Sequence, residues 1–161
     1  MNLFSAADRL KIKEKHFADS LVILNHWDVK EGMKVLDIGT GGGLPGLVLA
    51  CENPKLHFTM LDSTKKKIDA INEIIEEMDL KNCDTLCGRI EELGQKHHEK
   101  FDIVTARALA PLNVLLEYAV GFLKPGGLLY AWKANYHEEF ELSKNAQKIL
   151  KMEMIAVYDY E

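Results

Sequence analysis

Cysteine is scarce in this chain, and its three thiols form no recognisable set. Cys51, Cys83 and Cys87 contain no C-x-x-C spacing, and no His or Cys pair completes a zinc site. An odd count without a framework excludes a disulfide scaffold and points to a reduced, cytoplasmic protein that holds no metal. No apolar run approaches the ~18 residues of a membrane helix. Met1 to Lys15 lacks the hydrophobic core of a signal peptide. Repeats, low-complexity tracts and linkers are absent. Positive charge is not in excess either: 20 Lys and Arg against 25 Asp and Glu leave a net charge of −5. That balance argues against broad, nonspecific binding to nucleic acid. Two local basic patches stand out, Arg9, Lys11, Lys13 and Lys15 near the start and Lys65-Lys66-Lys67 further on. A solvated helix face is the commoner meaning of each.

What is present is a chain of 161 residues, 47% of them apolar, enough to bury the core of one domain. Its elements alternate in type. A helical N-terminal segment over 1–32 precedes a core over 33–161. Helical spacing over 11–27 puts Ile12, His16, Ser20 and Ile23 broadly on one side. Strands are expected over Met33–Ile38, Leu56–Leu61, Thr85–Ile90, Asp102–Ala106, Leu128–Lys133 and Met152–Tyr158. Helices are expected over Leu44–Cys51, Leu112–Phe122 and His137–Leu150. Another follows Ser63 or Thr64, either of which can cap it, and carries Ile68, Ile71, Ile75 and Met78 inward. Strands separated by helices predict an α/β, Rossmann-like, doubly wound and mostly parallel sheet. Cys83 and Cys87 fall in or beside its third strand, and Cys51 in a helix.

The strand Val35-Leu36-Asp37-Ile38 runs into Gly39-Thr40-Gly41-Gly42-Gly43-Leu44-Pro45-Gly46. Four glycines among five residues let bare backbone approach a nucleoside-containing cofactor. Two motifs overlap here. Gly41, Gly43 and Gly46 satisfy the dinucleotide spacing G-x-G-x-x-G, while Gly39, Gly41 and Gly43 give G-x-G-x-G. Asp37, two residues before the first glycine, suits a cationic sulfonium and amino-acid ligand better than a pyrophosphate, which prefers unopposed N–H groups. Pro45 fits the first turn of the following helix. Asp62, ending the second strand, sits where an acid grips ribose hydroxyls, a group common to NAD and S-adenosylmethionine. Arg89-Ile90-Glu91-Glu92 ends the third strand. Ile90 is placed to pack on adenine, and the backbone of Ile90 and Glu91 to meet its amino group. Arg107 ends the fourth strand and projects into the site.

The VLDIGTGGG stretch, together with Leu123-Lys124-Pro125-Gly126-Gly127 before the fifth strand, resembles class I S-adenosylmethionine-dependent methyltransferases. Further motifs narrow the resemblance to the glucose-inhibited division protein B family. They are Asn2-Leu3, His16-Phe17-Ala18-Asp19-Ser20, the turn through Leu44-Pro45-Gly46, Leu61-Asp62-Ser63, Arg89-Ile90-Glu91-Glu92, Ala106-Arg107-Ala108 and Trp132-Lys133, in the family's order. Members methylate N7 of a guanine in 16S ribosomal RNA of the bacterial small subunit. The resemblance implies S-adenosylmethionine as cofactor and contacts to it from Gly39, Leu44, Ile90, Glu91 and Arg107, beside the Gly41, Gly43 and Asp62 that the turn and the second strand's end already place there. It places His16, Asp19 and Ser20 near the substrate entrance. Arg107, Lys133 and His16 are expected on the RNA side, and the protein is expected to be a monomer.

No catalytic residue is assigned, because guanine N7 carries a lone pair and no proton. The Asn/Asp-Pro-Pro-aromatic tetrad of exocyclic-amine methylation is absent, and no cysteine is placed for the covalent route to pyrimidine carbons. Three departures from the family are visible. Phe4 stands where Thr usually follows Asn-Leu, the helical segment ahead of that motif is missing, and the chain stops at Glu161, so the last strand of the sheet is expected to be lacking. Methylation of a small molecule or protein, an NAD-binding domain, and a shortened cofactor-binding domain without activity remain as alternatives.

Overall fold

The computed structural model describes residues 16–159. The motif at Asn2-Leu3, the departure at Phe4, Ile12 and the first basic patch lie outside the described residues. At the centre is a five-stranded, all-parallel sheet in the order β3-β2-β1-β4-β5. The strands are β1 Lys34–Ile38, β2 His57–Asp62, β3 Cys83–Cys87, β4 Phe101–Arg107 and β5 Leu123–Trp132. The helices are α1 Ala18–Leu21, continued by a tighter turn over Val22–His26, then α2 Gly46–Glu52, α3 Lys65–Glu77, α4 Ile90–Lys96, α5 Leu112–Val120 and α6 Tyr136–Leu150. This is the doubly wound α/β sheet expected from the alternation of elements.

Strand periodicity divides the core in two, because successive residues point to opposite faces. Val35, Phe58, Met60 and Ile103 join Leu47, Leu49, Ile68 and Ile71 of α2 and α3. Leu36, Ile38, Leu61 and Val104 join Leu115, Ala119 and Phe122 around α5. The same parity puts Asp37, Asp62, Thr105, Arg107 and Trp132 on the face of α2 and α1. The strand order reverses between β1 and β4, and ligands of such sheets bind beyond the carboxyl ends at that switch.

Five expectations are corrected. Met152–Tyr158 forms no strand and pairs with nothing in the sheet, which ends at β5. Ile155 is 75% exposed, so the segment lacks the burial that would hold an edge strand. Tyr158 stacks on His26 at 3.6 Å. Met78 ends α3 facing solvent, 53% exposed, because that helix stops at Glu77 and its inward stripe is completed by Ile74, Ile75 and Leu80. Neither Ser63 nor Thr64 caps α3 with its side chain; the Asp62 carboxylate takes the Thr64 N–H instead, at 2.9 Å. The third strand runs Cys83–Cys87 rather than from Thr85 to Ile90, so Ile90 opens α4. The Lys124-Pro125-Gly126-Gly127 turn is taken up inside β5, where Phe101 pairs with Leu123 and Ile103 already with Leu128. Pro125 has no N–H for a ladder, and the strand bulges around it.

Candidate functional site

The glycine turn is anchored at the ends of two strands. Thr40 N–H donates to the Leu61 carbonyl at 3.0 Å, and Gly41 N–H donates to Asp62 Oδ2 at 3.0 Å. Gly88 N–H reaches the Asp62 carbonyl at 3.1 Å, carrying the rim on to Arg89 and Ile90. So the structure brings Gly39–Gly43, Asp62 and the start of α4 to one edge of the sheet. Gly39 has φ +65°, and a Leu109 methyl fills the place a Cβ would take there. A side chain at this position is therefore blocked twice, by backbone and by space. In front of Gly41 the space is open; a Cβ there meets nothing closer than the Gly39 carbonyl oxygen at 3.8 Å. An open cradle of backbone beside a carboxylate fits a ligand carrying a hydroxylated ribose.

Asp62 is buried, and its carboxylate serves the protein first. Oδ2 accepts from Gly41 and Oδ1 from Thr64, with Lys67 Nζ at 3.5 Å from Oδ2. Each carboxylate oxygen has a second lone pair, so acceptor capacity remains. The Lys65-Lys66-Lys67 patch is correspondingly muted, since Lys65 pairs with Asp69 and Lys67 with Asp62.

Asp37 behaves differently from the sequence expectation. It is 1% exposed, and both of its carboxylate oxygens are engaged within the protein. Its Oδ2 accepts the Gly46 N–H at 3.1 Å and its Oδ1 accepts the Thr105 hydroxyl at 2.7 Å. Asp37 and Thr105 are register partners on adjacent strands, which explains the second bond. Burial pushes the Asp37 carboxyl up to about 6, against the lowering effect of the Thr40, Thr105 and Gly46 donors and the Arg107 charge. The acid therefore ties the start of α2 and the neighbouring strand β4 to the base of the turn. Leu44 is likewise turned inward, with a buried side chain and an N–H bonded to the Thr40 carbonyl at 3.2 Å.

At the ends of β4 and β5 the structure gathers the His16–Ser20 turn. Arg107 Nη1 donates to the His16 carbonyl at 3.3 Å, and Trp132 Nε1 donates to the Asp19 carbonyl at 2.8 Å. The buried Ser20 hydroxyl donates back to the His16 carbonyl at 2.7 Å. Residues far apart in sequence thus meet on the Arg107 side of β1. Lys133 is less available than its position implies: its ammonium lies 2.6 Å from the Glu139 carboxylate and also donates to the Ala110 carbonyl. Glu91 is exposed and accepts the Tyr118 hydroxyl at 2.9 Å. Ile90 and Glu91 line a cleft of about 280 Å³ with Gly94, Gln95, Tyr118 and Gly121.

Sequence reasoning missed Thr105, Leu109 and Glu139. Thr105 carried a signal, a lone hydroxyl in an apolar strand two residues before Arg107. Leu109 and Glu139 carried none, since their roles depend on contacts across the fold. Among the described residues no group of acidic, His and Cys side chains is arranged to hold a metal. No helix is long and apolar enough to cross a membrane among those residues.

Known proteins share this architecture. A SAM-dependent methyltransferase from Aquifex aeolicus superposes with a TM-score of 0.62 at 20% identity, over 91% of this chain and 88% of that one. Ribosomal RNA small subunit methyltransferase G of Caldanaerobacter subterraneus is 43% identical over 156 residues, covering 96% of this chain and 65% of that protein. The protein of the same name from Syntrophomonas wolfei is 43% identical over 149 residues, covering 91% of this chain and 69% of its own length. The chain thus spans about two thirds of the relatives it matches. The profile of the rRNA small subunit methyltransferase G family matches residues 1–159, and the chain belongs to that family.

Proposed function

We propose that this protein is an S-adenosylmethionine-dependent methyltransferase that modifies N7 of a guanine in 16S ribosomal RNA, acting as a monomer on the small subunit in the cytoplasm. The observation that carries the reading is the bond from Gly41 N–H to Asp62 beside open space. It sets bare backbone and a carboxylate together at the switch point of a chain belonging to this family. That bond serves the ribose of either an S-adenosylmethionine or a dinucleotide, and membership of the family is what favours the methyl donor.

In this reading Gly39, Gly41 and Gly43 supply backbone against the cofactor, and Asp62 accepts from its ribose hydroxyls. Ile90 and Glu91 border the adenine. When bound, S-adenosylmethionine supplies a methyl group on a cationic sulfur. Guanine N7 needs no deprotonation, so the protein's task is orientation and exclusion of water, worth several kcal/mol of barrier in general. Arg107 and the His16–Ser20 turn stand beside β1 to receive the base and its phosphates, with Lys133 behind them. RNA targets of this kind are unpaired or splayed bases held by a shaped pocket. A net charge of −5 leaves recognition to such a pocket and to the ribosomal context rather than to a general basic surface.

The test is incubation of unmodified small ribosomal subunits with methyl-labelled S-adenosylmethionine and the protein, followed by mapping of the modified base. Label at one guanine N7 is expected. Label in protein or small molecules alone would favour the alternative substrates, and binding of NAD without S-adenosylmethionine would overturn the cofactor assignment.

A further inference from the structure

We propose that Glu139, on α6, is a positioning residue for the glycine turn, acting through the loop between β4 and α5. The inference rests on reading that turn as the S-adenosylmethionine site. Leu109, in the middle of the loop, lies against Gly39 and fills the space a side chain there would need. What holds Leu109 in place is not the loop itself. Ala108 has φ +51°, a left-handed conformation that costs a non-glycine residue about 1 kcal/mol and persists only where the surroundings impose it.

The surroundings that impose it converge on Glu139. Its Oε2 accepts the Leu112 N–H at 2.7 Å, at the first residue of α5. No side chain of the loop caps that helix, since Pro111 precedes it. A carboxylate from a different helix satisfies the orphan donor and suits the positive end of α5. Glu139 also lies 2.6 Å from Lys133 Nζ, which in turn donates to the Ala110 carbonyl. Leu109 is therefore bracketed: the residue after it is tied through Lys133, and Leu112 is tied directly. Both tethers end on one carboxylate, whose polar partners are Leu112 N–H and the Lys133 ammonium.

The test is calorimetric titration of S-adenosylmethionine into the wild-type chain and five variants, with thermal unfolding of each. Glu139→Ala is expected to weaken binding about five- to tenfold, the loss of a charge-assisted bond to a partly buried donor. Leu109→Ala removes the contact with Gly39 directly and is expected to do the same. The double variant should bind no more weakly than the worse single one, because both changes break one path. Glu139→Gln keeps an acceptor for Leu112 and should fall between wild type and Glu139→Ala. Glu141→Gln, on the exposed side of α6, should bind as wild type. Unaltered binding in Glu139→Ala, or losses that add in full in the double variant, would overturn the positioning role while leaving the cofactor assignment standing. Failure of the wild-type chain to take up S-adenosylmethionine would remove both.

Discussion

The backbone N–H of Gly46 donates to Asp37 Oδ2 at 3.1 Å, fastening the first residue of α2 to the middle of the sheet beneath the glycine turn. The contact leaves no room. A Cβ on residue 46 would lie 2.9 Å from that oxygen and 3.0 Å from the Asp37 Cβ. Gly46 is thus required for closeness of approach. The third glycine of a dinucleotide-type motif meets a carboxylate here, and this gives the trailing Leu44-Pro45-Gly46 a physical meaning.

Gly46→Ala should therefore lower the unfolding free energy by about 1–3 kcal/mol, the usual effect of one extra methyl group in a filled space. Denaturant titration measures it. The variant should also bind S-adenosylmethionine less well, because the turn and α2 must shift together. A variant as stable as wild type would mean that Asp37 moves aside freely.

Asp37 gives the fold a pH dependence whose sign can be worked out. Its carboxyl stands at about 6 in the folded chain against 3.8 for an ordinary aspartate, with desolvation as the largest cause. The native state therefore holds this proton over a range where the unfolded chain has released it. The stabilising contribution is present in full below pH ~4 and is lost as pH rises through ~6, to about 3 kcal/mol. Asp37→Asn should flatten the stability difference between pH 4 and pH 7 relative to wild type, as read by urea unfolding at each pH. Parallel curves for the two proteins would contradict it.

The alternation of elements, the turn and the placing of Asp62 and Arg107 at strand ends were all legible in the chain, because each follows from local pattern. Period-two burial identifies a strand, and glycine after a strand identifies the turn. The direction in which a side chain spends its hydrogen bonds was not legible. Asp37 was expected to face a cation and instead faces Gly46 and Thr105, since only the register of β1 on β4 decides that. Lys133 was expected to face RNA and is paired with Glu139, a residue with no local signal at all. Met152–Tyr158 has the composition of a strand, but a strand exists only where a neighbour accepts its ladder, and β5 ends the sheet.

Asp62 combines two tasks that substitution can separate. Its two oxygens hold Gly41 and Thr64, fixing the turn and the start of α3. Asp62→Asn keeps one acceptor oxygen and the volume. It should unfold within about 1–2 kcal/mol of wild type, since one charge-assisted bond is weakened. Its affinity for S-adenosylmethionine should nevertheless fall at least about tenfold, because an amide nitrogen cannot accept from a ribose hydroxyl. Equal losses for methylthioadenosine, which keeps the ribose and lacks the amino acid, would place the effect at the sugar. Unchanged affinity would take Asp62 out of the site.

Arg107 and Trp132 hold the same turn, and comparing them isolates what Arg107 does besides. Arg107 reaches the His16 carbonyl and Trp132 the Asp19 carbonyl, three residues further on. Trp132→Phe deletes one hydrogen bond, keeps an aromatic ring and should cost about 1 kcal/mol, read as lower protection of the 16–20 amides from exchange. If Arg107 served only to fix this turn, Arg107→Ala and Trp132→Phe would reduce methylation alike. The expected result is unequal. Arg107→Ala should lose about a hundredfold or more in activity on small subunits with little change in thermal midpoint, while Trp132→Phe loses only severalfold. Arg107 is the member of the pair whose charge lies on the Asp37 side of β4, where it already acts on that carboxyl. Arg107→Lys should recover part of the activity if charge is what matters, and none if the planar guanidinium is needed to seat a base or phosphate.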